Sequence, residues 1–141
     1  MPGYSNRPLA GKLGIKDGTR GAVLKPPEGF LQAIDADRRG LEVCDSIDQL
    51  AGADYDYLHQ FVYWREDLAS AVPRLRPLLC KPGMLWISWP KRAARVPTDV
   101  TEDVVREIAL AHQMVDIKVC AVDEVWSALK LVIPVALRGR R

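Results

Sequence analysis

The stretch KPGMLWISWPK, residues 81–91, decides the fold that this sequence predicts. Residues 84–89 form an almost continuous apolar run between turn signals, which is typical of a buried strand. The Lys-Pro-Gly sequence before the run predicts a tight turn. A basic loop, residues 90–97, follows the run and has a proline at each end. The stretch therefore predicts a strand whose carboxyl end carries an indole and several cations.

The sequence before this strand alternates between apolar runs and helical spacings. Strands are predicted for residues 19–25, 41–44 and 55–63, and helices for residues 28–36 and 65–79. Pro73 is expected to kink or split the second helix, because proline removes a hydrogen-bond donor and clashes with the preceding turn. The alternation of strands and helices predicts parallel strands that are joined by right-handed crossovers.

One helix and two strands are predicted after residue 97. Asp99 or Thr101 is expected to cap the helix, and Glu102 would complete a capping box with Asp99. The predicted buried face of this helix contains Val100, Val104, Ile108 and Ala111. The next two strands, residues 115–122 and 126–133, are so close in sequence that only an antiparallel hairpin can join them. The complete pattern predicts an α/β fold with a three-layer, wound, mostly parallel sheet that ends in this hairpin.

The composition is that of a globular domain. The chain has 141 residues, of which 48% are hydrophobic and 27% are charged, enough for one core without disulfides or metals. We expect one domain over residues 1–141, with a flexible N-terminus at residues 1–8 and a basic tail at residues 134–141. No signal peptide or membrane-spanning run is predicted, so a cytoplasmic protein without a membrane partner is expected. The three cysteines and two histidines lack the spacing of a metal site, so no metal is predicted.

The order of the elements resembles that of the class I methyltransferases, whose fold is a variant of the Rossmann fold. The sequence LRPLLCKPGMLWI, residues 75–87, is similar to the stretch just before the fifth strand of those enzymes. The resemblance implies a shortened, methyltransferase-like Rossmann core over residues 19–133. Four runs, PPEGF, LWISWPK, PTDVTEDVVREIAL and VDIKVCAVDEVWSALKLV, resemble an uncharacterised bacterial family of unknown function. That second resemblance implies no established activity.

The turn after the first predicted strand departs from the methyltransferase pattern. Glycines in that turn let the backbone approach the cofactor, and amide N–H groups face it. Here the turn reads Lys-Pro-Pro-Glu-Gly, residues 25–29, and Pro26 and Pro27 remove two donors and fix two φ angles. We therefore expect no cofactor, and in particular no ordinary binding of S-adenosylmethionine.

Ligands of open parallel sheets bind outside the carboxyl ends of the strands, and this rule selects the candidate ligand-binding residues. It selects positions after each strand: Pro27, Glu28 and Gly29 after the first, Asp45 after the second, His59, Gln60 and Trp64 near the end of the third, and Ser88, Trp89, Pro90 and Lys91 after the fourth. The ligand-binding candidates among them are Glu28, Gly29, Asp45, Trp89 and Lys91. Asp45 would hold the ribose hydroxyls of a nucleotide or, alternatively, cap its own turn. Glu28 would anchor a ligand or stabilise its own helix. Trp89 and Lys91 would hold an anionic planar ligand. Alternatively, Trp89 packs under the loop and the Lys91 side chain is solvated. No catalytic residue is assigned, because no set of nucleophile, base and orienting group appears in the sequence.

These observations leave three hypotheses for the function. The first is a noncatalytic binding or regulatory domain on a degenerate methyltransferase-like scaffold, whose partner is a small molecule or a protein. The second is a relative of the S-adenosylmethionine-dependent methyltransferases with an altered cofactor turn. The third is a nucleic-acid binder that uses Lys91, Arg92, Arg95 and the arginine tail, although so few clustered cations make nucleic acid the least expected partner. A homodimer is also considered, in which a sheet between subunits is extended by Val132, Ile133, Val135 and Leu137.

Overall fold

The computed structural model describes residues 8–139, which contain one six-stranded sheet. The strands are β1 (Gly21–Leu24), β2 (Glu42–Cys44), β3 (Tyr55–Phe61), β4 (Leu79–Pro90), β5 (Val115–Ala121) and β6 (Trp126–Val132). The α-helices are α1 (Leu9–Lys12), α2 (Phe30–Ala33), α3 (Ala36–Arg39), α4 (Arg65–Leu75) and α5 (Glu102–Ala111). Short 3-10 helices span Ile47–Gln49, Arg76–Leu78, Arg92–Ala94 and Val135–Leu137.

The strand order in the sheet is β2-β1-β3-β4-β6-β5. β1 pairs in parallel with β2 and β3, and β3 pairs in parallel with β4. β6 lies antiparallel between β4 and β5. The Asp123 carboxylate stabilises the turn of the last hairpin by accepting the N–H groups of Val125 and Trp126, each at 2.8 Å. The predicted α/β fold, with a mostly parallel sheet and a closing antiparallel hairpin, is confirmed.

Helices cover both faces of the sheet. Residues of α4 and α5 pack in one core cluster with Leu85 and Ile87 of β4. Residues of α1, α2 and α3 pack in a second cluster with Trp86, which lies between Leu85 and Ile87 in β4. Because successive side chains of a strand point to opposite faces, the two clusters lie on opposite sides of the sheet. The predicted three-layer arrangement follows from this alternation.

Two predicted helices differ from the observed ones. The helix predicted for residues 28–36 is shortened to α2, and α3 begins at Ala36, because Asp35 between them adopts a left-handed conformation with φ 57°. Aspartate tolerates this conformation better than most residues. The predicted splitting at Pro73 is wrong, since α4 continues through this proline to Leu75 before a 3-10 turn takes over at Arg76–Leu78.

The predicted turn at residues 81–83 is part of β4. The pairing of β3 with β4 jumps there, from Tyr55 opposite Leu79 to Tyr57 opposite Met84, so the Lys-Pro-Gly residues bulge from the ladder. Gly83 makes this path feasible, because a Cβ atom at that position would lie 2.7 Å from the carbonyl oxygen of Tyr55. The strand is therefore longer than predicted and irregular at its start.

The start of α5 uses Thr101 as its cap, which accepts the N–H group of Val104 at 3.2 Å. The predicted capping box of Asp99 with Glu102 is wrong, because the Asp99 carboxylate instead accepts the N–H group of Arg65. The predicted buried face is right at Val100 and Ile108 and shifted elsewhere. The other buried residues of this helix are Val105 and Ala109, whereas Val104 is partly buried and Ala111 is exposed.

β5 forms the edge of the sheet, and β6 does not. Val132 pairs with Met84 of β4 and with Val115 of β5, so the prediction that it extends a sheet between subunits is wrong, whereas the homodimer itself stays a prediction. No helix within residues 8–139 combines the length and apolarity needed to cross a membrane. The predicted flexible N-terminus, apart from Pro8, and the tail residues Arg140 and Arg141 lie outside the described residues.

Candidate functional site

Two clefts lie near the carboxyl ends of the parallel strands. The first, called the Asp45 cleft, has a volume of 320 Å³, and the second, called the Lys91 cleft, has a volume of 430 Å³. Residues that line the Asp45 cleft include Lys25, Asp45, Gln60, Tyr63, Asp67 and Arg74. Residues that line the Lys91 cleft include Trp89, Lys91, Arg92, Thr101, Glu102 and Ser127.

Asp45 directly follows β2, and its carboxylate is not needed for the local turn. Ser46 and Gln49 form a capping box on the 3-10 helix Ile47–Gln49. Gln49 Oε1 also accepts the N–H group of Asp45 at 2.7 Å. The Asp45 carboxylate itself has no hydrogen-bond partner among residues 8–139 and lies exposed in the cleft. Capping of this turn is thus carried out by its neighbours, which leaves Asp45 accessible to a ligand.

Gln60 is the second acceptor in the Asp45 cleft. It lies near the end of β3 and is only 6% exposed. Its side-chain NH₂ group donates to the carbonyl oxygen of Phe61 at 3.0 Å, whereas Oε1 accepts no hydrogen bond from the described part of the chain. A polar side chain this deeply buried is ordinarily hydrogen-bonded at both ends. Oε1 therefore offers an acceptor to a ligand in the cleft.

The sequence selects Gln60 by its position near the end of its strand, although it is not among the five ligand-binding candidates. Within the strand, Leu58, Gln60 and Val62 share one face, and the glutamine is the one polar residue among them. Because the carboxyl end of the strand lies next to the predicted ligand position, a polar residue on a buried face near that end marks a candidate.

The turn after β1 presents few backbone donors. Lys25 has a left-handed conformation with φ 57°, and its N–H group donates to the carbonyl oxygen of Cys44 at 2.9 Å. Pro26 and Pro27 have no N–H group. Three consecutive residues beside the Asp45 cleft therefore provide no backbone hydrogen for a ligand, although the Lys25 side chain lines the cleft.

Glu28 and Gly29 lie after the diproline pair and do not line either cleft. Both are exposed, and Gly29 adopts φ 89° immediately before α2. The carbonyl oxygen of Gly29 accepts the N–H group of Ala33 within the first turn of that helix. These two residues take part in the connection into α2, and the proposed ligand role of each stays a prediction.

Trp89 and Lys91 line the Lys91 cleft, whereas Asp45 lines the other cleft. Trp89 is 6% exposed and packs in the core on the side of α4 and α5. Lys91 lies at the mouth, where its N–H group donates to the carbonyl oxygen of Val125 at 2.7 Å. The five candidates thus divide into Asp45 in one cleft, Trp89 and Lys91 in the other, and two residues in neither.

Residues 98–99 are tied to the chain segment that follows β3. Thr98 donates its hydroxyl hydrogen to the carbonyl oxygen of Tyr63 at 2.5 Å. The Asp99 carboxylate accepts the N–H group of Arg65 at 2.6 Å. Tyr63 lines the Asp45 cleft and Thr98 lines the Lys91 cleft, so this pair of hydrogen bonds links the walls of the two clefts.

Half-exposed aromatic rings lie at the end of β3. Tyr63 is 44% exposed and Trp64 is 47% exposed. Tyr63 also makes an edge contact with Trp126, with ring centroids 5.2 Å apart. Because an exposed ring offers both an apolar face and, in tyrosine, a hydroxyl group, Tyr63 can contact a planar ligand in the Asp45 cleft.

His59 is enclosed in the core and lines neither cleft. Its ring nitrogens lie 2.6 Å from the Tyr57 hydroxyl and 2.6 Å from the Ser88 hydroxyl, and its ring stacks on Phe61 at 4.5 Å. Burial lowers the pKa of His59 to about 3, so the ring is neutral at ordinary pH. With 0% exposure, His59 cannot touch a ligand in either cleft.

The Asp45 cleft is richer in acceptors than in donors. Asp45, Asp67 and Gln60 each present an oxygen without a described partner. Of the two cations, Arg74 is paired with Asp48, whereas Lys25 has no ion pair within residues 8–139. No three His, Cys, Asp or Glu residues of the described chain come together as a metal site. The cleft therefore suits an organic molecule with several O–H or N–H groups.

Comparison with known proteins identifies the fold. No protein-family model matches the sequence, and it matches no curated protein. Among solved structures, it is similar to a type 11 methyltransferase from Sulfolobus solfataricus, described as putative, with a TM-score of 0.61 and 10% identity over 94% of this chain and 93% of that one. It is also similar to magnesium protoporphyrin IX methyltransferase from Synechocystis PCC 6803 with bound S-adenosylmethionine (SAM), with a TM-score of 0.57 and 12% identity over 88% and 74%.

A third similar structure is described as a pericyclic reaction enzyme. Its TM-score is 0.56 at 12% identity, and the match covers 89% of this chain and 39% of that one. At these identities the similarity shows the fold alone. The chain has a methyltransferase-like Rossmann fold, and the activity has to be argued from its own residues.

Proposed function

We propose that this protein is a small-molecule-binding domain that uses a methyltransferase-like scaffold without transferring a methyl group. The ligand occupies the Asp45 cleft and belongs to the class of nucleosides and other polyhydroxyl compounds. One observation carries the proposal: the free Asp45 carboxylate and the free Gln60 Oε1 line the same cleft.

The acceptor pair favours a ligand with neighbouring hydroxyl groups. A carboxylate that follows the second strand of a Rossmann-type sheet is in the position where such proteins hold the ribose hydroxyls. Each hydrogen bond to a charged carboxylate contributes roughly 1.5–3 kcal/mol. Gln60 adds a neutral acceptor deeper in the cleft, because it is only 6% exposed.

The turn after β1 supports binding without methyl transfer. A cofactor that is cradled in the usual way needs backbone N–H groups at this turn. Here the Lys25 N–H group is already bonded to Cys44, and Pro26 and Pro27 have none. The part of a SAM molecule beyond its ribose would therefore find no backbone donors at these three residues.

A methyltransferase function is the second candidate. The observation that favours it is the position of Asp45, together with a structural neighbour that holds SAM. Both candidates require a nucleoside in the Asp45 cleft. They differ in whether the remainder of the cofactor adds to the affinity.

Thermal shift and titration calorimetry with adenosine, S-adenosylhomocysteine (SAH) and SAM test the proposal. We expect adenosine to stabilise the protein, since a ligand that binds only the native state raises its stability. SAH should bind no more than a few times more tightly than adenosine. Asp45→Asn should weaken adenosine binding by about tenfold or more. Asp37→Asn, which removes an exposed carboxylate outside the Asp45 cleft, is the matched control.

The outcomes separate the two candidates. If SAH binds about a hundredfold more tightly than adenosine, the cofactor's remaining atoms are recognised and the methyltransferase candidate replaces the proposal. If Asp37→Asn weakens binding as much as Asp45→Asn does, the effect is one of net charge and the Asp45 cleft is not the site. If none of the three compounds stabilises the protein, the nucleoside class is rejected.

A further inference from the structure

The Lys91 cleft has a chemical character that differs from that of the Asp45 cleft. We propose that it is a second, separate binding site, which takes a small molecule with a carboxylate or phosphate group attached to an apolar body. This site does not depend on the function proposed for the Asp45 cleft. It is carried by the cations and the apolar walls of the cleft.

The cationic side chains of the Lys91 cleft have no hydrogen-bond or ion-pair partners among residues 8–139. Arg92 and Arg95 are the two arginines within residues 8–139 whose side chains donate no hydrogen bond to that part of the chain. All other arginine side chains there donate to a carboxylate or a backbone carbonyl. Lys91 likewise has no ion pair in the described part of the chain. Of these three cations, Lys91 and Arg92 line the cleft, and Arg95 does not.

The carboxylate in the cleft has a cationic partner. Glu102 accepts from the Arg106 guanidinium at 2.5 Å. The same guanidinium also contacts Asp103 at 3.0 Å and Asp116 at 3.1 Å, which fixes it beside α5. Because one guanidinium is shared by three carboxylates, it does not cancel their charge, and the attraction for an anion comes from Lys91 and Arg92, which have no carboxylate partner among residues 8–139.

Polar hydrogens in the cleft complement the cations. The Ser127 hydroxyl has no hydrogen bond with the described chain and lines the cleft from β6. The Thr101 hydroxyl oxygen accepts the N–H group of Val104, and its own hydrogen has no acceptor among the described residues. Acidic residues in the first turn of α5, Glu102 and Asp103, offset much of the helix dipole, so the attraction for an anion rests on the side chains.

The walls of the cleft favour an apolar body on the ligand. Trp89 and Val100 are 6% and 2% exposed and line it from below the polar rim. Val96 and Pro90 add further apolar surface. The volume of 430 Å³ lies within the range of about 300–1,000 Å³ that is common for small-molecule sites. An aromatic carboxylate or phosphate ester matches both the charge and the walls.

Phenyl phosphate and benzoate are the probes. Inorganic phosphate and phenol, the two halves of phenyl phosphate, are the reference compounds. Titration calorimetry should give a tighter dissociation constant for phenyl phosphate or benzoate than for either half. Arg92→Gln should weaken that binding by about tenfold or more, because it removes one charge-assisted hydrogen bond. Arg95→Gln removes the same charge from the same loop outside the cleft, and it should leave the affinity unchanged.

Four results would overturn the proposal. The first is that neither phenyl phosphate nor benzoate binds. The second is that Arg92→Gln and Arg95→Gln weaken the binding equally, as general surface charge predicts. The third is that Asp45→Asn abolishes the binding, which would assign the anion to the Asp45 cleft. The fourth is that single-stranded DNA or RNA binds and both arginine variants weaken it alike, which would indicate an extended nucleic-acid surface. Arg92 and Arg95 are exposed, so both variants should fold, and their unfolding temperatures verify this.

Discussion

The buried histidine predicts how the stability of this protein depends on pH. His59 is enclosed between the hydroxyls of Tyr57 and Ser88, and burial lowers its pKa from 6.5 to about 3. The unfolded chain takes up a proton near pH 6.5, whereas the folded protein does not until near pH 3. The unfolded state therefore binds more protons between these values, and the free energy of unfolding falls as the pH is lowered.

The size of this loss follows from the difference between the two pKa values. With 1.36 kcal/mol for each pKa unit, the free energy of unfolding should fall by about 2 kcal/mol between pH 7 and pH 5. The loss should reach about 4 kcal/mol at pH 3. Small domains are stable by only about 5–15 kcal/mol, so protonation of this single ring is a large perturbation.

The window between pH 7 and pH 5 isolates His59 from the carboxylates. An ion pair with Arg65 lowers the pKa of Glu107 from 4.5, so its contribution to stability is lost only at lower pH. Urea unfolding at several pH values in this window measures the free energy directly. His112→Gln is the control, because it removes the other histidine of the chain, which is partly exposed after α5.

His59→Gln should remove the pH dependence in this window while lowering the stability at pH 7. The lower stability is expected because the Tyr57 and Ser88 hydroxyls lose their ring partner, at about 1–3 kcal/mol for each buried group left unpaired. A wild-type protein that is equally stable at pH 7 and pH 5 would refute the reasoning. So would His112→Gln removing the pH dependence, and this comparison holds even if His59→Gln does not fold.

Two further substitutions test the bulge in β4 and the turn after β1. Gly83→Ala should destabilise the protein by about 1–3 kcal/mol in urea unfolding, because its Cβ atom would meet the backbone oxygens of Tyr55 and Cys80. Gly52→Ala should cost less, since its Cβ atom would meet only the far end of the Arg20 side chain and no backbone atom; equal losses would contradict the explanation. Replacing Pro26 and Pro27 together by glycine should strengthen SAH binding by about tenfold in calorimetry, because two N–H groups return to the turn. Unchanged SAH affinity, with adenosine binding preserved, would show that the turn does not limit cofactor binding.

Local signals were sufficient for the main features of the fold. The short connection between β5 and β6 requires an antiparallel hairpin, and Asp123 caps that turn through hydrogen bonds within three residues. The apolar run of β4 and its spacing from the earlier strands likewise depend on neighbouring residues. Such features can be read from a sequence, because periodicity and connection length restrict which strands can pair.

The cap of α5 shows where local signals fail. Asp99 and Thr101 are both good capping residues by type, and the sequence alone left both open. The choice falls on Thr101 because the N–H group of Arg65, 34 positions away in the chain, takes the Asp99 carboxylate. The bulge at residues 81–83 has the same origin, since the backbone of Tyr55 on the neighbouring strand determines the path of Gly83.

The sequence by itself determined that Asp45, Trp89 and Lys91 would lie at the carboxyl ends of strands, because their positions follow directly from the predicted strand ends. Only the tertiary structure decided that they divide between two clefts. It also decided that Gln60 joins Asp45 with a free acceptor. The physical reason is that a cleft is built from contacts between segments far apart in the chain, such as Thr98 with Tyr63. No local pattern encodes those contacts.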